Sequence, residues 1–153
     1  MNNTMPRSEL EALVLRFTDA FNRDNLDEVM TYFAEDAVYE TLEGHHARGI
    51  PAIRAAFEPQ FRGVFGRLRF LTQDMLVDEA AGKVVLQWRC QHDLSQAWRV
   101  TGPERLKQLL FRTGLGQTFH WEGLVVLHLA QGRLRRKQTY SRSKLPLIRR
   151  GGS

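Results

Sequence analysis

The spacing of apolar residues changes along this chain, from the period of a helix in the first third to that of a strand in the remainder. That order sharply limits the folds open to it. Leu10, Leu13, Val14, Phe17 and Phe21 recur at helical steps and form a single stripe. Ser8 and Glu11 have the spacing of a capping box, in which hydroxyl and carboxylate each satisfy a free backbone amide of the other. Asn22-Arg23-Asp24 breaks the helix, and Asp24 is placed to cap a second one carrying Leu26, Val29, Met30 and Phe33. Ala37 to Leu42 is predicted as a strand ending near Gly44, before His45-His46 in a turn. Gly49 and Pro51 start a third helix with Ile50, Ile53, Phe57 and Phe61 on its buried side, and Pro59 should end or bend it.

From Leu68 onward the period of two dominates. Leu68 to Val77 turns at Asp78–Gly82 into Lys83 to Leu94, and Gln117 to Ala130 turns at Gln131-Gly132 into Arg133 to Arg142. Long antiparallel strands of this kind curve and leave a concave face to be covered. Residues 95–116 interrupt the meander. Within them Pro103, Glu104, Leu106, Leu109, Leu110 and Gly114 outline a short capped helix, whose leucines either cover the mouth of a pocket or dock on the sheet.

Composition narrows the class further. With 153 residues, 42% hydrophobic and 25% charged, the chain has the size and make-up of one globular domain, 1–153, with a body over 7–142, an insert over 95–116 and a tail over 143–153. No stretch approaches the roughly 20 apolar residues of a membrane span, and Met1 to Arg7 lacks the apolar run of a secretory signal. Cys90 has no second cysteine to pair with, so a reducing, cytoplasmic setting is expected. The net charge of +5 is uneven: Arg133 to Arg150 holds eight basic residues and no acid, leaving 14 basic residues against 17 acids elsewhere. Such a stretch either meets phosphate or anionic lipid or is simply solvated. The mildly acidic body leaves no broad nucleic-acid footprint.

Certain residues sharpen the reading. Phe17-Thr18-Asp19-Ala20-Phe21-Asn22-Arg23-Asp24, then Tyr32-Phe33-Ala34-Glu35-Asp36-Ala37-Val38, then Gly49-Ile50-Pro51-Ala52-Ile53 resemble the opening of the nuclear transport factor 2-like superfamily, in its SnoaL-like and ketosteroid-isomerase-like branches. Gly132-Arg133-Leu134 through Thr139-Tyr140-Ser141 resembles its last hairpin. The resemblance implies an α+β fold: a cone-shaped, curved antiparallel or mixed sheet wrapped around three N-terminal helices, often a homodimer through the outer sheet face. Ketosteroid isomerases use an aspartate base with a tyrosine and a protonated aspartate as donors. Alignment on these motifs puts Thr41, Phe17 and Val125 at those three positions. None supplies the needed proton affinity or donor, so that isomerisation is not expected.

The same alignment, with strand alternation, predicts the lining of the cone. Tyr39 and Glu43 share the side of Thr41; Phe119, Trp121 and Leu127 share that of Val125. Val84, Leu86, Trp88, Cys90 and His92 form one face, and Lys137, Thr139 and Ser141 another. His120, Glu122 and His128 point the opposite way, toward the outer surface. His92 and Tyr39 are the candidate proton-transfer residues, since the histidine titrates near neutrality and the phenol can donate to a carbonyl. The plainer alternatives are a rim histidine and a tyrosine packed on the first helix. Phe17, Thr41, Trp88, Trp121, Val125 and Lys137 are the candidate ligand contacts; the two tryptophans either hold a ligand or fill the core. An inward Lys137 needs a partner, such as Glu43, or a place near the mouth. No metal-ligand spacing, nucleophile elbow, phosphate loop or epoxide-hydrolase Arg/Asp pairing is recognisable. The expectation is therefore a cofactor-free protein for a small apolar ligand. It is either an isomerase, dehydratase, cyclase or hydrolase, or a non-catalytic binding or dimerisation module. A weaker alternative is an accessory subunit docking through its basic tail.

Overall fold

Burial alternates residue by residue from Lys83 to Asp93, with Val84, Leu86, Trp88, Cys90 and His92 inside, as a strand covered on one face requires. The computed structural model describes residues 4–95, 102–103, 105–106, 109–110 and 118–142. These form helices α1 (Arg7–Asn22), α2 (Leu26–Thr31) and α3 (Ile50–Phe61) and strands β1 (Phe33–Thr41), β2 (His46–Arg48), β3 (Arg67–Asp78), β4 (Lys83–Asp93), β5 (Thr118–Ala130) and β6 (Arg133–Arg142). The six strands make one curved, unclosed sheet in the order β2-β1-β6-β5-β4-β3, with β1 parallel to β6 and every other pair antiparallel. Helix α1 packs on β3 and β4, and α3 on β1 and β2. The expected cone-shaped α+β architecture is what the chain adopts.

Phenylalanines join the helices to the sheet. The Phe21 ring meets Phe17 at 5.1 Å, Phe57 at 5.5 Å and Phe70 at 5.7 Å, each edge-on, the arrangement that ring quadrupoles favour. Asn22, at the end of α1, reaches the edge strand. Its Nδ2 donates to the Phe70 carbonyl at 2.9 Å, and the Phe70 amide donates to its Oδ1 at 2.7 Å. One side chain thus stands in for a neighbouring strand on the open edge of β3.

The helix starts differ from the expected ones. The helix begins at Arg7, one residue ahead of Ser8, so the N-cap of α1 is Pro6, whose ring has no polar atom with which to cap it. Glu11 instead accepts from Arg7 Nε at 2.7 Å. Asp24 has φ of 57° and lies in the turn; Asn25 caps α2, its side chain accepting from the Glu28 amide at 3.1 Å. Phe33, assigned by spacing to the second helix, opens β1. Helix α3 carries Pro59 in its last turn and runs on to Phe61. The His45-His46 segment does not end in a turn: β2 returns beside β1, too short to show a period.

Two bulges set which side chains face inward. Gln73 is the extra residue of β3 opposite β4, so Phe70 and Met75 both turn in while Leu76 is 63% exposed. Arg135 is the extra residue of β6 opposite β5: Leu129 pairs with Leu134, but His128 pairs with Arg136 and Leu127 with Lys137. With Leu134 inside, unbroken alternation would turn Lys137 out, and the bulge restores it to the interior.

The basic stretch is partly neutralised within the fold. Arg135 pairs with Asp36 and Arg136 with Glu40, each at 3.1 Å, and Arg133 donates to the Thr31 carbonyl. Exposed pairs of this kind contribute about 0–1 kcal/mol each. The tail over 143–153 lies outside the described residues. Of the insert, Pro103, Arg105, Leu106, Leu109 and Leu110 are helical, and the three leucines are exposed; Glu104 and Gly114 lie outside the described residues. Among the described residues no helix is long and apolar enough to cross a membrane.

Candidate functional site

Strand alternation carries the inner faces of four central strands toward α1 and α3, and a cavity of about 170 Å³ remains between them. All eight residues singled out in the sequence line it: Phe17 from α1, Tyr39 and Thr41 from β1, Trp88 and His92 from β4, Trp121 and Val125 from β5, and Lys137 from β6. A space of that order accepts a molecule about the size of a substituted aromatic ring, judged against cavities of ~150 Å³ that take benzene. Larger recesses elsewhere, such as one of about 830 Å³ beside Arg67, Arg69 and Arg89, are open and lined by charged side chains.

The tryptophans do not fill the space. Trp88 is buried with its ring 5.3 Å from that of Phe70, against Gly123. A Cβ at Gly123 would stand 2.5 Å from the Trp88 ring, so glycine is what lets the indole lie flat on β5. Trp121 is half-buried, with Phe65 at 5.5 Å and the His92 ring at 4.2 Å.

His92 is not at the rim. It is 2% exposed, and its Nδ1 lies 3.1 Å from the Phe65 carbonyl, a contact that assigns the Nδ1–H tautomer. Burial pushes its pKa down to about 4, so the ring is neutral at physiological pH. Tyr39 packs on Phe57 of α3 at 4.9 Å rather than on the first helix. Its pKa is pushed up to about 12, by burial first and then by Glu43, which keeps the phenol a proton donor. Thr41 turns its hydroxyl to the loop, accepting from the His45 amide at 3.2 Å. Burial raises the Cys90 thiol to about 12, far from a reactive thiolate.

Lys137 is the unusual group. It stands between Tyr39 and Leu127 on the concave face. Its Nζ donates to Thr139 Oγ1 at 2.7 Å and lies 4.8 Å from the centre of the Tyr39 ring and 5.6 Å from that of Phe57. Glu43 is not its partner; that carboxylate is exposed and accepts from Ser141 Oγ at 3.4 Å. Desolvation lowers the ammonium to about pKa 7. Ring faces ease a buried cation by about 0.5–2 kcal/mol, less than the loss of hydration that moves the pKa.

Sequence reasoning overlooked Phe65, Leu68 and Phe70 as lining residues, and Thr18 and Gln60 from the helices. Alternation along β3 contained the signal for Leu68 and Phe70, since they lie opposite His92 and Cys90. Among the described residues no group of three His, Cys, Asp or Glu side chains is arranged to hold a metal.

The model of the SnoaL-like domain matches residues 14–137. Solved structures share the fold across nearly the whole chain. AclR of Streptomyces galilaeus, 17% identical, aligns over 94% of this chain and 85% of its own with a TM-score of 0.70. AusH of Aspergillus nidulans, also 17% identical, aligns over 92% and 88% with a TM-score of 0.68. SalBIII, an epoxide hydrolase/cyclase-like enzyme with a role in pyran ring formation in the polyether salinomycin, is 12% identical and aligns over 88% and 92% with a TM-score of 0.65. Likeness at these identities speaks to the fold alone. No curated protein matches the chain by sequence.

Proposed function

The chain belongs to the SnoaL-like domain family, and from that premise we propose that it binds a small, largely apolar molecule in the cone and moves protons on it without a cofactor. The supporting observation is the convergence of the eight sequence-derived residues on one aromatic cavity that also holds a phenol, a neutral imidazole and a desolvated amine. In this reading Trp88 and Trp121 hold the apolar body of the ligand, and Tyr39 donates to its oxygen. His92 accepts a hydrogen bond as the neutral ring, and Lys137 meets the polar end. An isomerase, dehydratase, cyclase or hydrolase would each use that set. SalBIII, a neighbour in fold, is described as hydrolase/cyclase-like, which agrees with this range of reactions.

The competing reading is a non-catalytic ligand-binding or dimerisation module. It draws on Phe17, Thr41 and Val125, the residues that alignment on the family's motifs assigns to the positions where ketosteroid isomerases carry their functional groups. Native mass spectrometry of freshly purified protein tests for a retained small ligand and for the number of subunits together. Tryptophan emission titrated with a panel of small apolar carbonyl compounds tests occupancy. Binding with exchange of the ligand's acidic C–H for solvent deuterium, lost in Tyr39→Phe, supports the enzyme. Binding without exchange favours the module, and a cavity that takes none of them overturns both ligand readings.

A further inference from the structure

We propose that Lys137 is a covalent amine site, which captures an aldehyde or ketone ligand in the cavity as an imine. The proposal rests on the cavity being a ligand site and adds to it the chemical class of the ligand.

Three observations carry it. First, the residue type is selective: the chain has 18 arginines and only four lysines, Lys83, Lys107, Lys137 and Lys144. Arginine supplies the outward charges of β6 at Arg133, Arg135, Arg136 and Arg142, yet the inward basic position of that strand is a lysine. A guanidinium keeps its proton in proteins, whereas an amine can give it up and attack carbon. Second, a bulge at Arg135 is needed to bring Lys137 inside at all, and bulges are a known means of aiming one side chain. Third, among the described residues no carboxylate stands against Nζ. The titratable groups that share the cavity, Tyr39 on β1 and Cys90 and His92 on β4, are all uncharged near neutrality. The α1 and α3 side chains facing it include Phe17 and Phe57, which carry no charge. A salt-bridged lysine would be held as the ammonium, whereas desolvation lowers this one to about pKa 7.

The step balances with no further reactant. The Nζ lone pair forms a C–N bond at the carbonyl carbon while the C=O π pair moves onto oxygen. A proton passes from nitrogen to that oxygen, giving a carbinolamine. Its hydroxyl then leaves with a second proton as water while the C=N bond forms. Amine plus carbonyl compound gives imine plus water. Thr139 Oγ1, 2.7 Å from Nζ, is within reach to pass the protons, and the aromatic walls limit the water that would reverse the reaction.

The test uses the full chain at neutral pH with benzaldehyde, which suits the cavity in size, and cyanoborohydride to reduce any imine. Intact mass and peptide mapping locate the product, and tryptophan emission reports occupancy separately. The expected result is a single adduct, with a mass gain equal to the aldehyde less one oxygen atom, on Lys137. It should form at least ~10-fold faster than at exposed Lys83, because far more of the buried amine is unprotonated. Lys137→Met should lose the fast adduct, whereas Lys83→Arg, outside the cavity, should change neither the adduct nor the quenching. Quenching without preferential labelling of Lys137 overturns the imine and leaves the binding reading standing. Absence of both signals overturns the imine together with aldehyde binding.

Discussion

Desolvation lowers the pKa of both Lys137 and His92, and each shift leaves a mark on stability with pH. Unfolded, His92 takes up a proton below pH 6.5; folded, it refuses one until about pH 4. The unfolded state therefore gains protons as pH falls through that window, and stability should drop by roughly 3 kcal/mol across it. For Lys137 the unfolded side chain keeps its proton up to about 10.5, while the folded one loses it above about 7. The unfolded chain again binds more protons, so stability should rise from pH 7 to about 8.5, by roughly 1–2 kcal/mol. Above pH 9 the buried Cys90 thiol works the other way, since the unfolded thiol ionises first. Urea midpoints at pH 7 and about 8.5 measure the rise. Lys137→Met should flatten it, and an unchanged slope in that variant would remove Lys137 as its source.

At the level of elements, two close contacts hold the sheet to its helices and to itself. Asn22→Ala removes both hydrogen bonds to Phe70 and leaves that amide and carbonyl on the open edge of β3. A loss of about 1–3 kcal/mol in chemical denaturation is expected, with faster hydrogen exchange at the Phe70 amide. Gly123→Ala drives a methyl group to 2.5 Å from both the Trp88 ring and the Tyr140 carbonyl. It should cost about 1–3 kcal/mol and shift tryptophan emission, since the indole must move into the cavity. The elements themselves were largely legible in the sequence, because long strands and amphipathic helices each repeat a period many times. Val84 to His92 is one such face, and its burial follows the alternation in the sequence. What was hidden had no period to show. β2 is three residues long, the Gln73 bulge is a single insertion, and the cap of α2 moved one place because Asn25 competes with Asp24. The site followed the same logic. Its strand residues follow from alternation, whereas the lowered pKa of Lys137 and the burial of His92 depend on tertiary neighbours, Phe57 of α3 for the first and Phe65 and Trp121 for the second, which no local pattern records.

For the whole molecule, the order of strands decides what can be removed. β6 lies between β1 and β5, so a chain ending at Ala130 would divide the sheet into β2-β1 and β5-β4-β3 and open the inner faces of both. Such a truncation should lose its cooperative thermal transition in circular dichroism, whatever its residual helix content; a sharp transition would show that the two halves hold together through the helices alone. The same strand also carries an unusual freedom. With Arg135 present, β6 has two ways to line up with β5: the observed one, or a straightened one that sends Arg136 to face Leu127. Excision of Arg135 leaves a strand with one alignment, the one already in use, with Lys137 still opposite Leu127. Shortening the middle of a central strand is ordinarily ruinous; here the excised residue is the only one without a partner across the hairpin, so a codon can vanish and the chemistry of the interior stay where it was.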